Sequence, residues 1–518
     1  MGMLETARRA GGCQDPSPSP GRTRAGLLAR PRPFLLIATL SICGTVVSLQ
    51  QTLMLPVLPG LPALLHTSVD NASWIVTATL LSGAVSIPIL SRLADMFGKK
   101  RMIMVALALM VVGGVLGGLS HDLVPAIVAR ALQGASFVVV PIGIAIMRDE
   151  LPADRVPLGV TLMSATLALG AGAALPLSGV IVAHLDWRSI FWITAVAGVA
   201  SLLAIWWIVP ESPVRSGGTF DYMGALLLSA AVTALLYALS KGTQWGWLSP
   251  PTLALTLIGL ALLAVLVMVE LRARTPLVNV VVAVRPGVML VNIASVLCGF
   301  AMFTNMVGTM QLLQQSRDSG YGLGLDVLQA GLWMAPTGLV FGAWAPVAAR
   351  IIRRFGDHAA LLGGALIMAV TYVGRVFLST ELWQVVCGSV LVGIGVSMTF
   401  AAMPNLIMAA VPHTETASAN GLNTLLRSVG SSMASAAVAA LTTVLVVTID
   451  GTRHPAFAAF EILFAIAAAA SVVAAVVTLP LMRSGRPGAG ASERAIGAEG
   501  DVHSVHGVDN RSVEGTAT

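Results

Sequence analysis

The chain has 518 residues, 56% of them hydrophobic and 10% charged, with 30 Lys and Arg against 24 Asp and Glu for a net charge of +6. Together with a mean hydropathy of +0.85, this composition excludes an ordinary water-soluble domain and points to a polytopic membrane protein. The basic residues are scattered over many short segments and form no single patch, so the net charge records topology and nucleic acid is not expected as a partner.

Apolar runs of about 20 residues recur fourteen times, near 33–58, 71–91, 102–120, 123–147, 157–184, 189–209, 219–240, 251–271, 287–312, 326–349, 359–378, 382–408, 420–449 and 456–481. These runs predict helices, because backbone polar groups in hydrocarbon must be satisfied within the segment and the runs are too long for barrel strands. With the N-terminus placed inside, 23 Lys and Arg fall in inner segments and 4 in outer loops, and Arg130, Arg375 and Arg427 lie within spans. That bias predicts that both termini are cytoplasmic. Residues 1–32 form a basic tail, and the Gly- and Ser-rich stretch 483–518 is expected to be a disordered cytoplasmic tail. The first apolar run is too long for a signal-peptide core and is read as retained. The four Cys imply no disulfide framework.

In chain order, span 1 closes with Leu49-Gln50-Gln51-Thr52-Leu53-Met54-Leu55-Pro56, which sets two amide side chains in apolar surroundings. The link from span 2 to span 3 reads Ser91-Arg92-Leu93-Ala94-Asp95-Met96-Phe97-Gly98-Lys99-Lys100-Arg101. Asp95 and Gly98 can begin and turn a tight helix-to-helix connection, and the three cations fix it to the inner face. Span 4 carries Arg130 with Gln133 one turn on, in Arg130-Ala131-Leu132-Gln133-Gly134. An intramembrane cation costs about 2.5–3.5 kcal/mol, so it is retained where it faces a cavity or a partner; near a helix end it can instead snorkel. Pro176 and Gly179 lie in span 5, followed by Asp186-Trp187-Arg188-Ser189-Ile190-Phe191-Trp192. After span 10, Arg350-Ile351-Ile352-Arg353-Arg354-Phe355-Gly356 is a degenerate second copy of the basic loop, which suits two parallel repeats. Pro404-Asn405 in span 12 offers a break. Asn420, Asn423 and Arg427 give span 13 a polar face that either looks into a cavity or anchors at the inner boundary. Glu461, early in span 14, is either a proton carrier or a hydrated carboxylate at the outer interface.

The loop after span 2, the Arg130-to-Gly134 segment, the Asp186-to-Trp192 segment and the flanks of spans 7 and 8 (Thr219 to Gly224 and Glu270 to Leu277) resemble the major facilitator superfamily, in particular its fourteen-span drug:proton antiporter branch. The resemblance implies an all-α integral membrane protein of the major facilitator fold, with two six-helix bundles at 33–210 and 287–482 joined by a linker with inserted helices at 211–286. It implies a monomeric secondary transporter in a bacterial inner membrane that exports hydrophobic or amphipathic small molecules, such as drugs, antibiotics and biocides, by alternating access, coupled to protons and without a cofactor. Arg130, Gln133 and Glu461 are then expected in coupling, and Asp95, Gly98, Lys99, Lys100 and Arg101 in gating. Gln50, Gln51, Pro176, Gly179, Asn423 and Arg427 are expected around the substrate cavity. The chain departs from the pattern where Gln50 replaces the usual span 1 acid and Ser91 the first loop glycine. Glutamine cannot release a proton, which leaves open a facilitator or metabolite exporter without proton coupling. A membrane enzyme or receptor would need a catalytic cluster or an effector domain. The chain has no nucleotide-binding Gly-x-x-x-x-Gly-Lys, no His-Glu-x-x-His and no Gly-x-Ser-x-Gly.

Overall fold

The computed structural model describes residues 33–54, 57, 61–67, 69–212, 214–217, 219–273, 276–449 and 452–484. The 1–32 tail and nearly all of the 483–518 tail therefore lie outside the described residues. Among the described residues, fourteen helices are long and apolar enough to cross a membrane. The first bundle contains span 1 (Pro33–Thr52), span 2 (Trp74–Phe97), span 3 (Lys99–Leu119), span 4 (Leu123–Glu150), span 5 (Val156–Ile181) and span 6 (Ser189–Ile208). Span 7 (Tyr222–Gly242) and span 8 (Pro250–Glu270) follow. Span 9 (Pro286–Gln314), span 10 (Leu328–Phe355), span 11 (Asp357–Phe377), span 12 (Leu382–Ala410), span 13 (His413–Val444) and span 14 (Phe457–Pro480) form the second bundle.

Local chemistry sets the helix ends. The Asp221 carboxylate accepts from the Gly224 N–H at 2.8 Å before span 7, and Asp326 and Gln329 form a reciprocal capping box before span 10. Gly98 and Gly356, with φ of 121° and 86°, occupy the left-handed region that glycine enters at little cost. Each joins the second span of its bundle to the third, so the internal repeat predicted from the basic loops recurs as the same turn at the same place.

Apolar packing divides along the same lines. One buried cluster draws on Phe300, Phe341, Tyr372, Phe400, Ala434 and Phe464 from spans 9–14. Others gather Leu40, Leu107, Ile142, Met163 and Ile205, and Leu53, Ile75 and Phe191, from the first six spans. Spans 7 and 8 pack on each other, and Leu228 and Val232 of span 7 meet Ala84 of span 2 and Leu425 of span 13. Only 17% of span 8 is buried, against 33–72% of every other span in its central window. It rides on the outside of the assembly.

Two expectations are corrected. Span 13 was expected to run to residue 449, but its helix stops at Val444, and Val446–Ile449 pairs antiparallel with Thr452–Pro455. The β-branched run Val446-Val447-Thr448-Ile449 before Asp450-Gly451 favours a hairpin over another helical turn. Tyr321 donates to the Pro455 carbonyl and ties this hairpin to the link between spans 9 and 10; burial raises its phenol above the ordinary range. Span 12, in turn, does not break at Pro404, because Ala401 to Pro404 are all buried in tertiary packing, and Asn405 donates to the Asp357 carboxylate at 2.8 Å.

The bundles meet along spans 5 and 10 and along spans 2 and 13. A Cβ on Gly172 would stand 2.8 Å from the Gly338 Cα across the first seam, and one on Gly430 would stand 2.0 Å from the Val296 carbonyl of span 9. Gly430→Val is therefore expected to unseat span 13 from span 9 and to destabilise the protein by at least about 1–3 kcal/mol. A lowered unfolding temperature of the purified variant in detergent would report it; an unchanged one would contradict the packing.

Candidate functional site

Arg130 is 2% exposed and sits inside the first bundle. Its guanidinium donates to Gln133 Oε1 at 3.0 Å, to the Gln50 carbonyl at 3.3 Å and to the Ile75 carbonyl at 3.4 Å. Gln133, one helical turn on and on the same face, also receives the Gln50 amide at 3.3 Å and donates to Thr194 at 3.1 Å. Ser136 donates to Gln50 Oε1 at 3.2 Å. Spans 1, 2, 4 and 6 thus converge on a cation held only by neutral oxygens. The position where the resemblance led one to expect an acid is filled by an amide that completes the hydrogen bonding without carrying charge.

A counterpart lies in the second bundle, and sequence reasoning had not singled it out. Arg375, also 2% exposed, donates to Asn305 Oδ1 at 2.6 Å and Thr309 Oγ1 at 2.9 Å, and its charge lies 4.1 Å from the Phe464 ring centroid. Asn305 continues to Ser389 at 3.0 Å, and Ser389 receives Thr337 at 2.9 Å, so spans 9, 10, 11, 12 and 14 share this network. Two signals were available: an arginine inside a span, and the i, i+4 pair Asn305 and Thr309 on span 9. Asn423 is occupied too, donating to Asn292 at 3.0 Å and Ser295 at 2.5 Å.

The expected loop between spans 2 and 3 narrows to Gly98, because Ser91 to Phe97 continue span 2 and Lys99 to Arg101 open span 3, and this helical corner ties the two bundles together. Both Asp95 oxygens accept backbone N–H groups of the other bundle, Ala417 at 3.2 Å and Ser418 at 2.8 Å, in the first turn of the Thr416–Val444 helix. A carboxylate there meets both the free N–H groups and the positive end of the helix dipole. Beside it Arg148 donates to Thr416 Oγ1 at 2.7 Å and to the Val411 carbonyl at 3.2 Å. Lys99 acts within its own bundle: it pairs with Asp149, both side chains are 0% exposed, and Ser212 gives Asp149 a further hydrogen bond at 2.5 Å. Lys100 donates to the Trp206 carbonyl at 2.8 Å. Arg101, 66% exposed, lies 3.8 Å from Glu211, a surface pair of little energetic weight.

A cavity of about 450 Å³ lies between the bundles, within the usual range of about 300–1,000 Å³ for small-molecule sites. Its walls include Gln51 and Thr52 of span 1, Leu80 of span 2, Phe137 of span 4, Leu239 of span 7, Phe303 of span 9 and Arg427 of span 13. Gln51, Thr52, Leu80 and Leu239 occupy the halves of their helices remote from the Lys99 corner, and Phe137, Phe303 and Arg427 lie near the middles of theirs, so the cavity runs from mid-span toward the opposite face while the Asp95 contact closes the Lys99 side. Of the residues expected here, Gln51 and Arg427 line it. Gln50 turns away into the Arg130 network and Asn423 onto span 9, each drawn by buried polar partners. Gly179 is not in the lining: a Cβ there would stand 3.0 Å from Leu328, which puts it, with Pro176 one turn before, on the seam with span 10. Glu461 is half-buried, four residues into span 14, and joins neither the cavity lining nor the Arg130 network.

Paired helical bundles around a central cavity, with a contact between them that closes one side, are the architecture of a membrane transporter and not of an enzyme. The chain belongs to the Major Facilitator Superfamily, whose profile matches residues 40–435. It is 27% identical over 427 residues to the tetracenomycin C resistance and export protein of Streptomyces glaucescens, covering 80% of this chain and 77% of that one. The multidrug resistance protein Stp of Mycobacterium tuberculosis is 26% identical over 401 residues, covering 77% and 73%. Among solved structures, the human organic anion transporter MFSD10 (TETRAN) superposes with a TM-score of 0.62 at 15% identity, covering 86% of this chain and all of that one. That likeness speaks for the fold alone.

Proposed function

We propose that the protein exports hydrophobic or amphipathic small molecules, antibiotics and biocides among them, across a bacterial plasma membrane by alternating access, as a monomer. The observation that carries this reading is the cavity between the bundles, sealed on the Lys99 side by Asp95 and reaching toward the other face. The positive-inside bias makes the Lys99 side, with both chain termini, cytoplasmic. A cavity of that orientation is what an exporter presents after it has turned its cargo outward. The two bacterial relatives named for resistance support the same direction, at identities below 30%.

In this reading Gln51 and Arg427 contact substrate. Asp95, Gly98, Lys99, Lys100 and Arg101 set the gate, and the Asp95 contact must break for the cytoplasmic side to open. Pro176 and Gly179 let span 5 approach span 10 closely. Proton entry drives the cycle through Arg130 and Gln133, with Glu461 as a carboxyl on the outer side. A second reading has one observation in its favour: the Arg130 partners are all neutral and Gln50 carries no proton, which suits an exporter that needs no pH gradient.

The two readings part in proteoliposomes of the full-length protein, with efflux of an amphipathic dye followed with and without an imposed pH gradient. The proton-coupled reading expects faster efflux when protons flow against the dye. Equal rates would leave the gradient-independent exporter, and no protein-dependent flux would overturn both.

A further inference from the structure

Of the buried arginines in the spans, Arg130 and Arg375 are held by neighbouring oxygens. Arg130 has three oxygen acceptors; Arg375 has two, together with the Phe464 ring. Arg427 differs. It is 7% exposed, it lines the cavity, and its charge stacks 4.7 Å from the Phe400 ring centroid. Among the described residues its guanidinium has no hydrogen-bond acceptor and no carboxylate partner. A buried cation retained in that condition is provided for by something that arrives in the cavity.

The remainder of the lining indicates what that is. It contains no Asp or Glu, so an organic cation would meet repulsion from Arg427 with nothing to offset it. Phe137, Met302, Phe303 and Met306 supply a polarizable apolar surface. Next to Arg427, the hydroxyls of Ser428, Ser431 and Ser432 donate to carbonyls four residues back on their own helix, at 3.0, 3.2 and 3.0 Å. Their hydrogens are therefore used, and their lone pairs remain to accept from a ligand. Gln51, across the cavity, offers both donor and acceptor.

Resting on the reading of this cavity as the substrate site, we infer that its substrates are amphipathic organic anions: a bulky apolar body bearing a carboxylate or similar oxyanion that pairs with Arg427, with hydroxyl groups donating to the serine row. Guanidinium–carboxylate pairing beside a largely apolar wall is both strong and directional. The same Arg427 then discriminates against cationic dyes and biocides by repulsion.

Fluorescein and rhodamine 123 test this, since they share a xanthene body and carry opposite charge. Binding of each to the purified full-length protein is titrated in neutral detergent, and protein-dependent transport of each is followed in proteoliposomes. The expected result is that fluorescein binds and is transported, that rhodamine 123 binds at least about tenfold more weakly, and that Arg427→Gln weakens fluorescein by about tenfold to a hundredfold. An unfolding temperature in detergent equal to that of the wild type shows that the variant is folded, its rhodamine binding should not weaken, and Arg427→Lys should recover part of the anion binding. Tighter binding of the cation, or indifference of fluorescein to Arg427→Gln, overturns the anion inference while leaving an amphipath exporter standing. If the wild-type protein neither binds nor moves either dye, the reading of the cavity as an amphipath site falls, and the inference with it.

Discussion

Lys99→Met is expected to destabilise the protein by about 3–5 kcal/mol, because it leaves the Asp149 carboxylate without its cation in a place that water does not reach. Both side chains are 0% exposed, and the Ser212 hydroxyl that remains supplies a hydrogen bond but no charge. The loss belongs to the stranded partner more than to the pair, so Lys99→Met combined with Asp149→Leu should recover most of it, since a buried ion pair replaced by apolar groups of similar volume is often neutral. Thermal unfolding in detergent distinguishes the cases. A single variant as stable as the wild type would mean that Asp149 is hydrated or finds another cation.

Arg130→Ala is expected to lower transport by about tenfold or more, since three buried acceptors lose a charged donor at once. The Gln50 and Ile75 carbonyls and Gln133 Oε1 would be left facing a void between spans 1, 2 and 4. Insertion should survive, because the removal of an intramembrane charge eases entry into the bilayer. Arg130→Lys should rescue poorly, as a single ammonium does not reproduce the fork that reaches acceptors on three helices. If a pH gradient speeds efflux in the wild type, that acceleration should vanish in Arg130→Ala. A variant that kept the full response would take Arg130 out of coupling.

The fold was largely legible in the chain. Fourteen apolar runs became fourteen helices, because a lipid-exposed backbone leaves few alternatives once the runs are long enough. The site was legible by residue type more than by direction. Gln50 and Gln51 are neighbours on a helix and cannot share a face, yet which one looks into the cavity depends on where span 4 packs. Asp95 stood out in the charged segment at the end of span 2, but its partners are backbone N–H groups more than 320 residues away, and a backbone group has no signature in sequence. Arg375 was visible as a charge in a span; its partners Asn305 and Thr309 lie 70 and 66 positions earlier, and only packing brings them into one group. The end of span 13 was misjudged because Val and Ile satisfy hydropathy equally well in a helix or in a strand.

Span 7 contributes Leu236, Leu239 and Ser240 to the cavity and lies against both span 2 and span 13. It covers the line along which spans 2 and 13 meet, with span 8 packed on it. In the proposed export cycle, span 7 bars a lipid-dissolved molecule from slipping sideways between spans 2 and 13, and one already inside from leaking back into the leaflet by that route. The extra helix pair works as a gasket, and excising it to leave twelve spans would leave the vestibule open to acyl chains along one flank.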